Sequence, residues 1–216
     1  VHRLEEAVKP HLRGVLHEVA FAISLVTGTV IVCLADDTRE RVAASVYAVS
    51  VALLFGTSAA YHRGSWGPRA HGVMSRLDHS MIFVLIAGTY TPFALLLLQD
   101  WARWIVLGVV WGGAVAGITL RNVLRQPPRW VFVLLYLALG WVAVGVIPQI
   151  LSSGGVAVFV LVIVGGVLYT LGAVVYARRR PDPSPRWFGF HEVFHALTLA
   201  AFAVHYIAVS LAVYGT

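Results

Sequence analysis

The chain has 216 residues, of which 59% are hydrophobic and only 12% charged, whereas a soluble domain carries about 25% charged residues. That balance excludes an ordinary water-soluble domain. The formal charge of +6 would point a soluble protein towards nucleic acid, but here the basic residues sit in the connections between apolar runs, so no nucleic-acid partner is expected.

A crossing of a bilayer takes about 20 apolar residues. Seven runs qualify, at roughly 15–34, 42–63, 77–98, 102–119, 130–150, 156–177 and 191–213. The predicted fold is an all-α membrane protein: an arm over 1–14, then one seven-helix transmembrane domain over 15–216. The short connections leave no room for a soluble domain. Arg3, Lys9 and Arg13, then Arg63, Arg69 and Arg76, then Arg121, Arg125 and Arg129, then Arg178, Arg179, Arg180 and Arg186 all fall on one side of such a bundle. Only Arg39, Arg41 and Arg103 fall on the other. The positive-inside bias therefore predicts a cytoplasmic N-terminus and an extracytoplasmic C-terminus, with anionic lipid head groups beside the basic loops.

The first run is longer than the apolar core of a signal peptide and is read as a retained span. It opens with His17 and Glu18, read as an interfacial pair with a place behind the metal ligands as the alternative, and holds the single Cys33, which has no internal disulfide partner. The second run ends at Ser58-Ala59-Ala60-Tyr61-His62, before the breakers Gly64, Gly67 and Pro68. The third begins at Arg76-Leu77-Asp78-His79-Ser80 and contains Pro92, which predicts a kink. His71 reads as a loop residue and His79 as an interfacial one beside Asp78.

In the fourth run the pairs Gly108/Gly112 and Gly113/Gly117 permit close helix approach, within the bundle or between two copies in a homo-oligomer. Pro127 and Pro128 close the next connection; Pro181, Pro183 and Pro185 precede the last run. That run opens on His191-Glu192-Val193-Phe194-His195, two imidazoles one turn apart on one face. His205 follows about 15 Å deeper, too far for the same metal ion.

With the helices oriented by charge, Ser58, His62, Asp78, His191 and His195 all lie within a turn or two of the cytoplasmic interface. Three histidines from two helices fill three positions of a tetrahedral zinc and leave the fourth open, the pattern of a catalytic site. Zinc acidifies water and polarises a carbonyl, Asp78 is the natural base, and Ser58 can orient a ligand or stabilise an oxyanion. His-Glu-x-x-His also fits a zinc protease with Glu192 as base. A helix cap or a contact behind the metal ligands is the preferred reading for Glu192, because Asp78 already occupies the base's depth.

Three segments together, Ser58–His62, Arg76–Ser80 running into Ala87-Gly88-Thr89-Tyr90-Thr91-Pro92-Phe93, and His191–His195 with His205-Tyr206 downstream, closely resemble the hemolysin III proteins. These are bacterial members of the progestin and adiponectin receptor superfamily, and the resemblance runs from about residue 11 to near the end of the chain. It implies a seven-helix bundle in a bacterial plasma membrane, with zinc on His62, His191 and His195, the family's aspartate at Asp78 and its serine at Ser58. Relatives include alkaline ceramidases, which implies hydrolysis of a lipid-like amide or ester. The large cytoplasmic extension of the eukaryotic receptors is absent, so no protein hormone is expected as a partner. Two rivals stand beside the hydrolase: a lipid-responsive receptor or membrane-homeostasis protein with structural zinc, and a pore-forming hemolysin. Seven apolar spans do not suit a secreted pore former, which must stay soluble before insertion.

Overall fold

The computed structural model describes residues 10–124 and 128–215, so residues 1–9 of the N-terminal arm and Arg125 lie outside the described residues. Among the described residues there are seven α-helices: α1 (Val15–Cys33), α2 (Thr38–Arg63), α3 (Pro68–Leu97), α4 (Asp100–Val123), α5 (Arg129–Gly140), α6 (Ile147–Arg178) and α7 (Phe190–Tyr214). A 3-10 turn over Val142–Val146 joins α5 to α6. Six stretches are long and apolar enough to cross a membrane, Arg129–Arg178 counting as one of them.

Local chemistry sets the ends. Asp37 accepts the Glu40 amide at 2.7 Å while the Glu40 carboxylate takes the Asp37 amide, a capping box that starts α2 ahead of its apolar run. Pro68, with its φ already helical and no N–H to lose, starts α3. The helix therefore begins well before residue 77, and His71, expected in a loop, is an exposed helical residue beside Tyr61. α3 runs on through Pro92 to Leu97; the Thr91 hydroxyl donates to the Ala87 carbonyl at 2.8 Å and accepts the Trp111 indole N–H at 3.1 Å.

The outer surface is apolar. Val19, Ile23 and Val26 of α1, Ile105 and Val115 of α4, and Val156 and Val160 of α6 are exposed, whereas the interior of α3 collects Ser80, Thr89 and Thr91 with Phe83, Ala87 and Ala94. Hydrocarbon as the surrounding solvent accounts for that inversion, and the chain is a multi-pass membrane protein. α3 is the most buried helix and packs on α2, α4, α5, α6 and α7. On α4, Leu139 fills the space beside Gly113 and Phe83 the space beside Gly117, which is packing within the bundle; Gly108 and Gly112 meet nothing.

The expected span over 130–150 is not one regular helix. α5 has 12 residues, about 18 Å of helix, against a hydrocarbon core of about 30 Å. Gly140 and Gly145 favour helix poorly and Pro148 has no N–H, so the chain tightens to 3-10 between them. Tyr90 mends the gap: its hydroxyl donates to the Gly140 carbonyl at 2.7 Å and accepts the Ala143 amide at 2.7 Å. A second break lies within α6 at Gly155, where φ is 74° and ψ 176°. The Trp141 indole donates to Thr170 at 3.1 Å and the Arg129 guanidinium lies over the Tyr176 ring, so the segments before and after Gly155 lie side by side.

The backbone at Gly155 is one that only glycine adopts without strain. Gly155→Ala is expected to cost about 1–3 kcal/mol, read as a lower thermal midpoint in detergent. Gly112→Ala, in open space inside a helix, should leave the midpoint unchanged or raise it.

Candidate metal centre

α2 and α7 supply the centre. His62 ends α2, and His191 and His195 lie in the first two turns of α7. The 3.6-residue period puts the latter pair on one face, with ring centroids 4.4 Å apart. One ligand nitrogen from each of the three histidines lies within 4.8 Å of the other two. His62 Nε2 and His191 Nε2 face each other at 3.2 Å, against about 3.3 Å for two nitrogens bound to one zinc at the usual tetrahedral geometry. The Nδ1 of buried His195 has no protein partner. An all-imidazole set, buried or half-buried, with close-set nitrogens fits zinc.

Asp78, on α3, places Oδ2 3.9 Å from His62 Nε2, a gap that one water can bridge. Ser58, one turn before His62, is buried and hydrogen-bonded at 2.8 Å to His17 Nδ1. All five predicted residues are thus brought to one end of the bundle by three helices. His79, next to Asp78, contacts the Ser75 carbonyl through Nδ1 at 2.7 Å and the Tyr176 hydroxyl through Nε2 at 3.2 Å.

His17 departs from the preferred interfacial reading. Expected at the interface, it is buried, 3% exposed, and its ring stacks on His195 with centroids 3.6 Å apart at 15°. It belongs to the surroundings of the cluster, while Glu18 points outward to Arg63 at 2.9 Å. A sequence signal existed: Ala20, Ser24 and Gly28 continue from His17 at helical spacing as a small-residue stripe, and that stripe is the buried face of α1.

Glu192 is the second residue whose place is now defined. It is fully buried, accepts the Gly189 amide at 2.8 Å as the cap of α7, and pairs with Arg13 at 2.5 Å. A carboxylate committed to a guanidinium and a helix end is not a free base, which removes the protease reading of His191–His195.

Beside the cluster lies a cavity of about 140 Å³, bordered at one end by Ser58, Asp78, His191 and His195 and along its length by Ile82, Leu85, Ile86, Val133, Leu137 and Phe194. His205 borders it further along. The site is therefore a polar end on an apolar chamber within the bundle, a shape suited to an amphiphile.

Glu192→Gln keeps an acceptor for the Gly189 amide and loses the charge opposite Arg13. It is expected to cost about 3 kcal/mol in thermal or denaturant unfolding while bound zinc, measured by elemental analysis, stays at the wild-type level. Lost metal with unchanged stability would place Glu192 at the ion instead.

Comparison with known proteins agrees with the geometry. The sequence pattern of the family described as Haemolysin-III related matches residues 6–206. Hemolysin-3 of Bacillus cereus is 30% identical over 168 residues, 78% of this chain and 74% of its own length. The Hemolysin-3 homolog of Bacillus subtilis (strain 168) is 29% identical over 170 residues, 79% of this chain and 76% of its own length. Monocyte to macrophage differentiation factor of Homo sapiens is 25% identical over 185 residues, covering 82% of this chain and 72% of that protein. A match over a range that spans the positions of Ser58, His62, Asp78, His191 and His195 makes this protein a member of the Haemolysin-III related family.

Proposed function

We propose that the protein is a zinc-dependent hydrolase of a lipid-like amide or ester, working at the cytoplasmic face of a bacterial plasma membrane. The observation that carries this reading is the meeting of three histidines with a carboxylate at the polar end of an apolar chamber. The proposal includes seven crossings, the segments before and after Gly155 each making one. The basic residues of Arg63, Arg121, Arg129 and Arg178 then share the cytoplasmic end with the N-terminus. Exposed Trp66, Trp130 and Trp187 at that end, and Trp101 and Trp104 at the other, suit two aromatic belts.

His62, His191 and His195 would hold the ion, and zinc bound there supplies Lewis acidity towards a carbonyl. The rest of the work falls to the chain. Asp78 stands where its Oδ2 can take a proton from a water between it and the cluster and pass it to the leaving amine or alcohol. Ser58 and His17 hold one wall of the site through their hydrogen bond, and the stacked ring of His17 fixes the plane of His195. The apolar lining seats the alkyl chain and keeps bulk water away from the carbonyl. Lipid enters sideways between helices, since the outer faces offer hydrocarbon a continuous surface.

A second reading has its own support. α2 and α7 pack sparingly on each other directly, so an ion shared by His62 and the α7 pair would act as a staple between them. A relative named Adiponectin receptor protein, from Drosophila melanogaster, is 29% identical over 201 residues, 81% of this chain and 43% of its own length. In that reading the protein responds to lipid and the zinc is structural.

Two measurements decide. Purified wild-type protein is expected to carry about one zinc per chain and His62→Ala a small fraction of it; a full equivalent in the variant removes His62 from the ligand set. Asp78→Asn is expected to keep its zinc and lose about 10²–10⁴-fold of turnover on a panel of lipid amides. Wild-type turnover in that variant rules out Asp78 as base, and zinc-loaded wild-type protein without turnover on the panel favours the structural reading.

A further inference from the structure

His205 sits ten residues beyond His195 on α7, about 15 Å further along the helix. Its Nε2–H donates to the Val162 carbonyl at 3.2 Å. A carbonyl can only accept, so that contact fixes the tautomer and leaves Nδ1 as a hydrogen-bond acceptor. No protein group pairs with Nδ1, and the residue is only 8% exposed.

The ring stands at a neck. It borders both the chamber of the histidine cluster and a second cavity of about 40 Å³ that continues past Phe93 and Ile150. Thr89, Tyr90 and Trp141 border both as well; the polar atoms of Tyr90 and Trp141 are already engaged, with Gly140, Ala143 and Thr170, and the Thr89 hydroxyl can itself donate. His205 Nδ1 is an acceptor there that cannot turn donor and has no protein partner. The backbone makes room for the ring: a Cβ on Gly165 would overlap the His205 imidazole, so a missing side chain on α6 keeps the histidine where it is. An acceptor withheld from water and from protein donors is costly, and a donor on a guest removes that cost.

We propose that His205 Nδ1 is a second recognition point for the guest of the chamber: a long-chain amphiphile whose polar head meets His62, His191 and His195 and whose chain carries a hydroxyl or amide N–H about 15 Å along. This rests on the proposed place of the head group at the histidine cluster, and does not require that the head group be hydrolysed. The guest's second group is a donor because the Val162 carbonyl has already used the only N–H of the neutral ring. It is uncharged because, among the described residues, no carboxylate borders the neck or the cavity beyond it to act as counter-ion.

The test is competition against radiolabelled oleic acid on purified, zinc-loaded protein in lipid nanodiscs, with three unlabelled acids. These are oleic acid, ricinoleic acid, which adds a mid-chain hydroxyl, and α-hydroxyoleic acid, whose hydroxyl sits beside the carboxylate. Ricinoleic acid is expected to bind about tenfold more tightly than the other two. In His205→Phe, which keeps a ring against Gly165, that preference should vanish while oleic acid affinity stays within a few-fold. His205→Gln, whose amide can donate to Val162 and still offer an acceptor, should retain a preference. Equal affinities for the three acids on wild-type protein would overturn the proposal. So would a preference that survives in His205→Phe. Should that variant fail to fold, the order of the three acids on wild-type protein decides by itself. Turnover does not enter the readout: a protein inactive on every lipid amide can show the preference, and an active hydrolase without it ends this inference alone.

Discussion

Hydrocarbon around the bundle is the constraint from which the other features follow. Water is absent at the outer face, so every hydrogen-bonding group of the spans must find a partner inside. Apolar side chains accordingly line the outside of α1, α4 and α6, and the hydroxyls, imidazoles and carboxylates collect between helices. A soluble protein hides its hydrocarbon; here the hidden material is polar, and that concentration of polar groups in one interior gives the molecule chemistry to perform. Asp78, Ser58 and the histidines sit close together partly because the surroundings leave them nowhere else to go.

How much of this is legible in sequence depends on which coordinate is asked for. Depth is legible. Basic loops fix the level of each helix end, and so His62, Asp78, His191 and His195 could be assigned to one stratum without a structure. Azimuth is harder, because it depends on the partner each face meets. His17 lies at the expected end of α1 but outside the interfacial surroundings preferred for it; the stripe of Ala20, Ser24 and Gly28 that turns it inward is visible only when small residues are read as a face. Glu192 shows a different limit. Its spacing from His191 and His195 is local and suggests a base, but its place is settled by Arg13, 179 residues away in sequence. Hydropathy also counted residues 130–150 as one span, although the glycines and Pro148 in that run break its helix.

The two acids near the centre, Glu192 buried and Asp78 half-buried, show how identical chemistry is given different work. Glu192 is held by a guanidinium and a helix end, so its charge serves to anchor the start of α7, whose first two turns carry both of that helix's candidate ligands. Asp78 lies 3.9 Å from His62 Nε2 and 3.8 Å from His79 Nδ1, and among the described residues no guanidinium forms an ion pair with it. The first is structural support for the cluster, and under the proposed function the second is the one that meets the reactant.

Tyr90 gives the chamber wall a property that a continuous helix would lack. Where α5 yields to the 3-10 turn, one phenol stands in for the missing backbone, taking an amide and giving to a carbonyl. The wall can therefore be irregular at membrane depth without orphaned peptide groups. An irregular wall has a contour that no straight helix can present, and a single hydroxyl lent by α3 holds that contour in place.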